Sequence, residues 1–343
     1  MNDLTEGRAR ARPLPAAPPP ALPWLVADVG GTNARFGWVA SATGGIEHVA
    51  TLPTTGFAGP TEAAQAYLDD LRSRLGAAFA APRRSAWAIA TAVDREEIQL
   101  TNSNWRFVPP ELQAALGVER LQLLNDFEAL ALSLPRLTAA QLRPHGPLPT
   151  ARGTLAVIGP GTGLGVAGVV ETAHGWVAVP GEGGHVTLAA GDDFEGRLLQ
   201  QVRRRYPHVS AERLLSGIGL PVLHAAVAAV LGLGLVERET PEIVTLGLAG
   251  EDVACDRTLD TFCALLGGFA GNVALTLGAT GGVYIGGGIV PRLGDRFFAS
   301  RFRERFEAKG RFAGYLAAVP TAVITDTLAA LSGAAQAIAQ DDA

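Results

Sequence analysis

The run Leu25-Val26-Ala27-Asp28-Val29-Gly30-Gly31-Thr32-Asn33-Ala34-Arg35 constrains this chain more than any other. An apolar segment is broken by two adjacent glycines and then resumes, so it reads as strand, tight turn, strand. Paired glycines let the backbone approach an anion with its N–H groups exposed and no Cβ in the way. No Gly-Lys-Ser/Thr follows, which excludes a P-loop. A strand and not a helix comes next, which excludes the dinucleotide fingerprint. Thr32 and Asn33 add side-chain donors, and Asp28 stands where it can hold a metal through water. An ordinary hairpin turn can carry the same letters.

A second short segment, Leu123-Leu124-Asn125-Asp126-Phe127, closes an apolar strand with an amide and a carboxylate. Asp126 can accept the proton of an attacking hydroxyl, and Asn125 offers a donor and an acceptor to neighbouring hydroxyls. Both residues are also good helix N-caps. Taken together, a phosphate turn and a carboxylate at a strand-to-helix junction imply phosphoryl transfer from ATP to a sugar.

Periodicity supplies the frame. Strands are expected at 24–30, 34–40, 86–92, 121–124, 155–158, 166–170, 175–179 and 283–285. Helices are expected at 61–81, 109–117, 127–134 (stopped by Pro135), 194–206 and 261–277. Residues 135–153 read as proline-rich loop and as the place where the chain changes domain. Gly267, Gly268 and Gly271 promise close helix packing. Strand followed by glycine loop recurs near 30, 160 and 286, consistent with two related halves around one nucleotide.

Further motifs fit a nucleotide and a polyol. Gly159-Pro-Gly-Thr-Gly-Leu-Gly165 reads as a second phosphate loop or a glycine-rich hairpin. In Gly181-Glu182-Gly183-Gly184-His185 the glycines let Glu182 and His185 converge on one neutral polyol, whose hydroxyls make short bonds to carboxylates; a metal site, for which one His and one Glu are a poor ligand set, and a loop with a surface His are the other readings. Gly286–Pro291 offers bare backbone to an adenine or ribose, or is a sharp strand exit. Glu212 reads by itself as helix-dipole complementation. The alternating charges of 301–311 read as a solvated helix face.

Bulk properties exclude several classes. The 343 residues suffice for two domains. A net charge of −5 argues against nucleic acid. Two cysteines, Cys255 and Cys263, leave no disulfide framework or Cys-rich zinc site and suit a cytoplasmic setting. No apolar run is expected to reach the roughly 18 residues of a membrane span. Residues 1–23 are expected to be a disordered Pro/Ala-rich leader.

In their order, these motifs resemble the bacterial glucokinases of the proteobacterial type, within the actin-like ATPase superfamily of sugar kinases. The matching residues are Asp28 to Arg35, Asn125-Asp126-Phe127, Gly161 to Gly165, Pro180 to His185, His208 to Gly217, Gly286 to Arg292 and Lys309 to Phe312. The resemblance implies an α/β, two-domain actin-like (ribonuclease H-like) fold with a cleft between a small domain, 24–135 plus 324–343, and a large one, 136–323. It implies phosphorylation of D-glucose to glucose 6-phosphate by ATP with Mg²⁺, and a homodimer. Asp126 then looks like the general base on the 6-hydroxyl, and Asn125, Glu182, His185 and Glu212 like further sugar ligands. Ala27, Asp28, Val29, Gly30, Gly31, Thr32 and Asn33 look like the first phosphate turn and Gly161, Thr162 and Gly163 like the second. Gly287 and Gly288 complete the nucleotide set. The chain departs from the family at Ala92–Glu96, beside the expected sugar cleft, at Pro160, and at Asp326-Thr327-Leu328 before the last helix. The rival readings are a kinase for another hexose or an amino sugar, a sugar-sensing regulator without catalysis, and a phosphatase or chaperone ATPase of the same superfamily. Polyphosphate is the alternative donor.

Overall fold

A computed structural model describes residues 21–41, 44–100 and 103–341. The expected leader at 1–23 thus lies almost wholly outside the described residues. Strands β1 (Trp24–Val29), β2 (Asn33–Val39) and β3 (Glu47–Pro53) form an antiparallel meander. Helix α1 (Pro60–Leu75) then leads to β4 (Arg84–Ile89). A small arm, β5 (Ile98–Gln99) with β6 (Arg106–Phe107), precedes α2 (Pro109–Leu116), β7 (Arg120–Asn125) and α3 (Asp126–Ser133). The first sheet runs in the order β3-β2-β1-β4-β7, with β1, β4 and β7 parallel.

The second sheet repeats this plan. Its meander is β9 (Thr154–Pro160), β10 (Leu164–Thr172) and β11 (Gly175–Val179), reached through an edge strand, β8 (Leu142–His145). Helices α4 (Asp193–Arg203), α5 (Leu220–Leu231), α6 (Thr240–Ala249) and α7 (Val253–Leu277) follow. Then come β12 (Gly282–Ile285), the short helices α8 (Ile289–Leu293), α9 (Asp295–Ala299), α10 (Phe302–Glu307) and α11 (Ala313–Ala317), β13 (Thr321–Ile324) and α12 (Ala329–Gln340). The order is β11-β10-β9-β12-β13-β8, with β9, β12 and β13 parallel. The suspected pair of related halves is thus a repeated topology.

Helices α3 and α12 lie between the sheets. Their contact is so close that a Cβ on Gly333 would stand 1.6 Å from the Ala129 carbonyl oxygen. One apolar cluster unites Val26, Ala88 and Leu132 on one side with Leu155, Val157 and Val169 on the other, through Leu331 and Ala334. Two segments join the halves, and Gln141 ties them together. Its backbone carbonyl accepts from Thr325 N at 2.9 Å, and its side-chain Nε2 donates to Asp326 Oδ2 at 2.5 Å. Asp326 Oδ1 accepts from Leu328 N just before α12, so its Asp-Thr-Leu entry is built on a side-chain turn.

Several boundaries differ from expectation. Helix α1 ends at Leu75, not 81, because Gly76 adopts φ +54° and cannot continue it. The 135–153 stretch holds strand β8, paired to β13, and is not all loop; α3 ends at Ser133, just ahead of Pro135, which sits in a 3₁₀ turn. Helix α4 ends at Arg203. Helix α7 starts at Val253, where Asp252 caps Cys255 N. At 25 residues α7 is long and apolar enough to cross a membrane, contrary to the expectation for this chain. It is a core helix, with 78% of its apolar window buried. Gly267 and Gly271 allow α10 to lie on it, since added Cβ atoms would meet Phe302 O at 2.1 Å and Phe306 O at 2.5 Å. Gly268 faces open space, and its carbonyl accepts from Lys309.

The 301–311 charges are not a solvated face. Arg305 is buried and pairs with buried Glu195 at 2.7 Å. Arg303 donates to the carbonyls of Leu316, Ala317 and Val319. Only Arg301 and Arg311 are exposed among these basic residues. Alternating charge could not separate buried braces from surface pairs.

Candidate active site

Strand register builds the site. Val29, Ile89 and Asn125 lie on one rung of the parallel strands, so the glycine turn after β1 and the start of α3 open at the same carboxyl edge. Ligands collect at that edge in open α/β sheets. The turn closes through Gly30 N donating to Asn33 O at 2.9 Å, and Thr54 Oγ1 anchors it by donating to Gly31 O at 2.8 Å. Thr32 and Asn33 are exposed, whereas the Ala27 and Val29 side chains are fully buried. Both lie in β1 between β2 and β4, so they support the turn from beneath and offer no side chain to a phosphate.

At the α3 start both readings of Asn125-Asp126 hold. Asn125 Oδ1 and Asp126 Oδ1 each accept from Phe127 N at 2.9 Å, and Glu128 Oε2 accepts from Asn125 N at 3.4 Å. This is a capping box, so Asn125 is a helix cap as well as a candidate ligand. The Asp126 carboxylate is itself half-buried. Burial raises its pKa to about 6; the Phe127 N–H bond opposes this and the nearby Asp28 charge adds to it. Burial also raises Asp28, and the Arg35 guanidinium at 3.6 Å pulls it back. Arg35 further donates to the Thr327 carbonyl at 3.0 Å, tying the first turn to the segment entering α12.

The second half presents its own edge. The β9–β10 hairpin closes through Gly161 N donating to Gly163 O at 2.9 Å, and Gly217 N donates to Gly161 O at 2.7 Å. Gly287, at φ +74°, passes so close that a Cβ there would stand 2.4 Å from Pro160 O. Gly287, Gly288 and Thr162 are exposed, and Gly161 and Gly163 partly so.

Glu182, His185 and Glu212 converge. His185 Nε2 lies 3.9 Å from Glu182 Oε2, and His185 Nδ1 lies 3.9 Å from Glu212 Oε1. The Glu182 and His185 side chains are 81% and 59% exposed and open to a ligand, whereas Glu212 is only 25% exposed. Glu212 is held because its Oε2 accepts from Leu164 N at 2.9 Å. Spacing alone made it a dipole residue; the fold brings it to the hairpin. The strand then joins this cluster to the Asp126 region, for Gly165, next to Leu164, lies under the Phe127 ring.

Three participants escaped the sequence reading. Glu128 was legible in the Asn-x-x-Glu spacing of a capping box. Phe127 passed as a strand-helix residue, and its glycine partners are 32 and 38 residues away. The contact of Arg35 with a backbone carbonyl carries no residue-type signal. The Ala92–Glu96 departure begins just past Thr91, whose carbonyl accepts from Asn125 Nδ2 at 3.4 Å.

A family model described as Glucokinase matches residues 25–341. The chain belongs to the glucokinase family. The glucokinase of Aromatoleum aromaticum is 47% identical over 317 residues, covering 92% of this chain and 94% of its own. That of Paramagnetospirillum magneticum is 46% identical over 314 residues, covering 91% and 96%. Among solved structures, a glucokinase from an Antarctic psychrotroph superposes with a TM-score of 0.85 at 38% identity, covering 92% of this chain and 98% of that one. A ROK family glucokinase from Streptomyces griseus, in complex with glucose and AMPPNP, matches at 0.55 and 19% identity, covering 91% and 98%; this is a likeness of fold. The glucokinase-family fold is the two-lobed actin-like one expected.

Proposed function

We infer that the protein transfers the γ-phosphoryl group of ATP to the 6-hydroxyl of glucose, with Asp126 as the base. Membership of the glucokinase family carries the reaction. The observation that supports the residue roles is the Phe127 contact, which joins the carboxyl edge of the first sheet, with its glycine turn and half-buried carboxylate at a helix start, to the glycine hairpin and Glu-His-Glu cluster of the second. Glu182, His185, Glu212 and Asn125 bind the sugar hydroxyls. Backbone amides of Gly31, Thr32, Thr162 and Gly163 take the phosphates, since Gly30 N and Gly161 N already close their own turns, and Gly287-Gly288 lies under the nucleoside. At neutral pH an Asp126 titrating near 6 is ionised and close enough to the working pH to take a proton efficiently. As the 6-oxygen bonds to phosphorus its proton passes to Asp126, and the bond to the ADP oxygen breaks. Transfer is otherwise positioning and electrostatics.

Mg²⁺ belongs to this reading, and the donors fit it: a hard cation takes one or two carboxylates, phosphate oxygens and water. Asp28 is the residue that would hold it, through water, and its charge would offset that of the phosphates. A homodimer and a cytoplasmic location complete the proposal; two free buried cysteines suit a reducing compartment. The test is a coupled assay of purified protein over a hexose panel with ATP or polyphosphate and Mg²⁺. Glucose with ATP should give the highest kcat/KM. A preference for an acetamido hexose, or for polyphosphate, would overturn the corresponding part.

A further inference from the structure

The ring of Phe127 lies in a slot made by two glycines. Gly159 on β9 and Gly165 on β10 are direct cross-strand partners. A Cβ built on Gly165 would fall 2.0 Å from Phe127 Cδ2 and 2.1 Å from Cε2. One built on Gly159 would fall 2.4 Å from Cζ. One ring edge therefore rests on each strand, and neither glycine tolerates a side chain without expelling the ring. Neither has a positive φ, so backbone freedom does not account for glycine at these two positions; the ring does. The same residue's N–H donates at 2.9 Å to both Asn125 Oδ1 and Asp126 Oδ1. Three residues on from Gly165 toward the hairpin tip is Thr162, and one residue on is Leu164, whose N–H holds Glu212.

We propose that Phe127 is a positioning residue that sets the distance between the Asp126 carboxylate and the 161–163 phosphate loop, with Gly159 and Gly165 as its obligate seat. The inference rests on the reading of Asp126 as the base. It adds that the base, carried by the helix after the first sheet, takes its register from the second sheet through one aromatic ring. In-line transfer requires oxygen, phosphorus and base to align, and a misplacement of about 1 Å can cost about 10²-fold in rate. A ring seated against backbone has no soft neighbour to absorb such an error.

The test uses the full-length protein with Phe127→Leu, Gly165→Ala and the double variant. The readouts are kcat, both KM values, glucose affinity by calorimetry and the melting temperature. Phe127→Leu should lower kcat by about tenfold or more with both KM values within about threefold. Gly165→Ala should cost at least as much. In the double variant the added methyl occupies space the ring has vacated, so its kcat should exceed the product of the two single losses. A purely structural ring predicts a lower melting temperature and unchanged kcat per folded enzyme. Phe127→Leu within twofold of wild-type kcat, or single losses that simply multiply, overturns the proposal. Should Gly165→Ala fail to fold, Phe127→Leu and Phe127→Met decide alone by the same kcat-against-KM split. Asp126→Asn run in parallel separates the failures: if it keeps full kcat the base assignment is wrong, and if it loses kcat while Phe127→Leu does not, only the slot is wrong.

Discussion

The two sheets share a topology and differ in what they place at their working edges. Ala90 N donates to Val29 O at 3.1 Å in the first, and Gly286 N to Ile158 O at 2.7 Å in the second, so the rows Val29–Ile89–Asn125 and Ile158–Ile285–Val323 correspond. By that register Asp28 answers to Val157, Asn125 to Val323 and Asp126 to Ile324. The second-sheet residues are all buried and apolar. At these register positions the first half carries carboxylates and the second apolar side chains; the second half keeps its carboxylates, Glu182 and Glu212, beside the hairpin and meets the nucleotide with glycine backbone. The division has an electrostatic reason. A nucleotide between two acidic edges would be repelled from both sides, whereas one acidic edge can be offset by a divalent cation while the other supplies N–H groups.

That division predicts where variants act. Asp126→Asn keeps the size and the oxygen that accepts from Phe127 N, but cannot take a proton. Its kcat should fall by at least about 10², with glucose affinity changed far less. A helix-cap role alone predicts a folded, nearly fully active variant, because Asn caps as well as Asp. Steady-state kinetics at saturating glucose and ATP decides, and near-normal kcat would falsify the base assignment.

Second-half variants should act on binding. Glu182→Ala and Glu212→Ala each remove a charge-assisted acceptor worth about 1.5–3 kcal/mol, so the glucose KM should rise by roughly one to two decades. The structure sharpens the pair. Glu212 also accepts from Leu164 N, so its loss should raise the ATP KM too, whereas exposed Glu182 should leave ATP binding unchanged. Equal effects on ATP would break the link between sugar cluster and hairpin.

A smaller effect belongs to Gly287→Ala. At φ +74° an alanine costs about 1 kcal/mol of backbone strain, and here its Cβ also meets Pro160 O. The ATP KM should rise several-fold with the glucose KM within twofold. An unchanged ATP KM would remove Gly287 from the nucleotide site.

Much of this was legible because it depends on local chemistry. The Gly30-Gly31 turn, the strand-to-helix junction at Asn125-Asp126 and the Glu182/His185 pair are short-range patterns, and the fold puts them where spacing implied. The repeated strand-glycine motif was a true sign of two halves. What failed needed partners distant in sequence. Arg305 reads as a surface charge until Glu195 closes over it. Strand β8 has no period of its own and exists because β13 offers an edge. Glu212 becomes a site residue only when Leu164 arrives beside it. Helix α7 begins earlier than its glycine face suggests because Asp252 caps it.

The smallest effect tests the comparison through stability. Burial and the Asp28 charge raise the folded-state pKa of Asp126 to about 6, above its ordinary 3.8. A carboxyl whose folded pKa is raised binds protons more tightly when folded, so folding loses stability as pH climbs from about 4 to about 6, and the full penalty persists above that. Two pKa units correspond to about 3 kcal/mol, and the half-buried position makes about 1–3 kcal/mol the useful range. Asp126→Asn carries no charge to desolvate and keeps the cap. It should therefore melt a few degrees higher than wild type at pH 7.5 without divalent cation, at roughly 2–4 °C per kcal/mol. The gap should narrow to a small remainder at pH 4, where the folded carboxyl is protonated. The apolar counterpart Ile324 has no such pH-dependent strain to relieve, and Ile324→Val should destabilise by about 0.5–1.5 kcal/mol equally at both pH values. If Asp126→Asn instead melts lower at both, its carboxylate is a structural brace, and the first edge is not the strained, chemically committed half of the molecule.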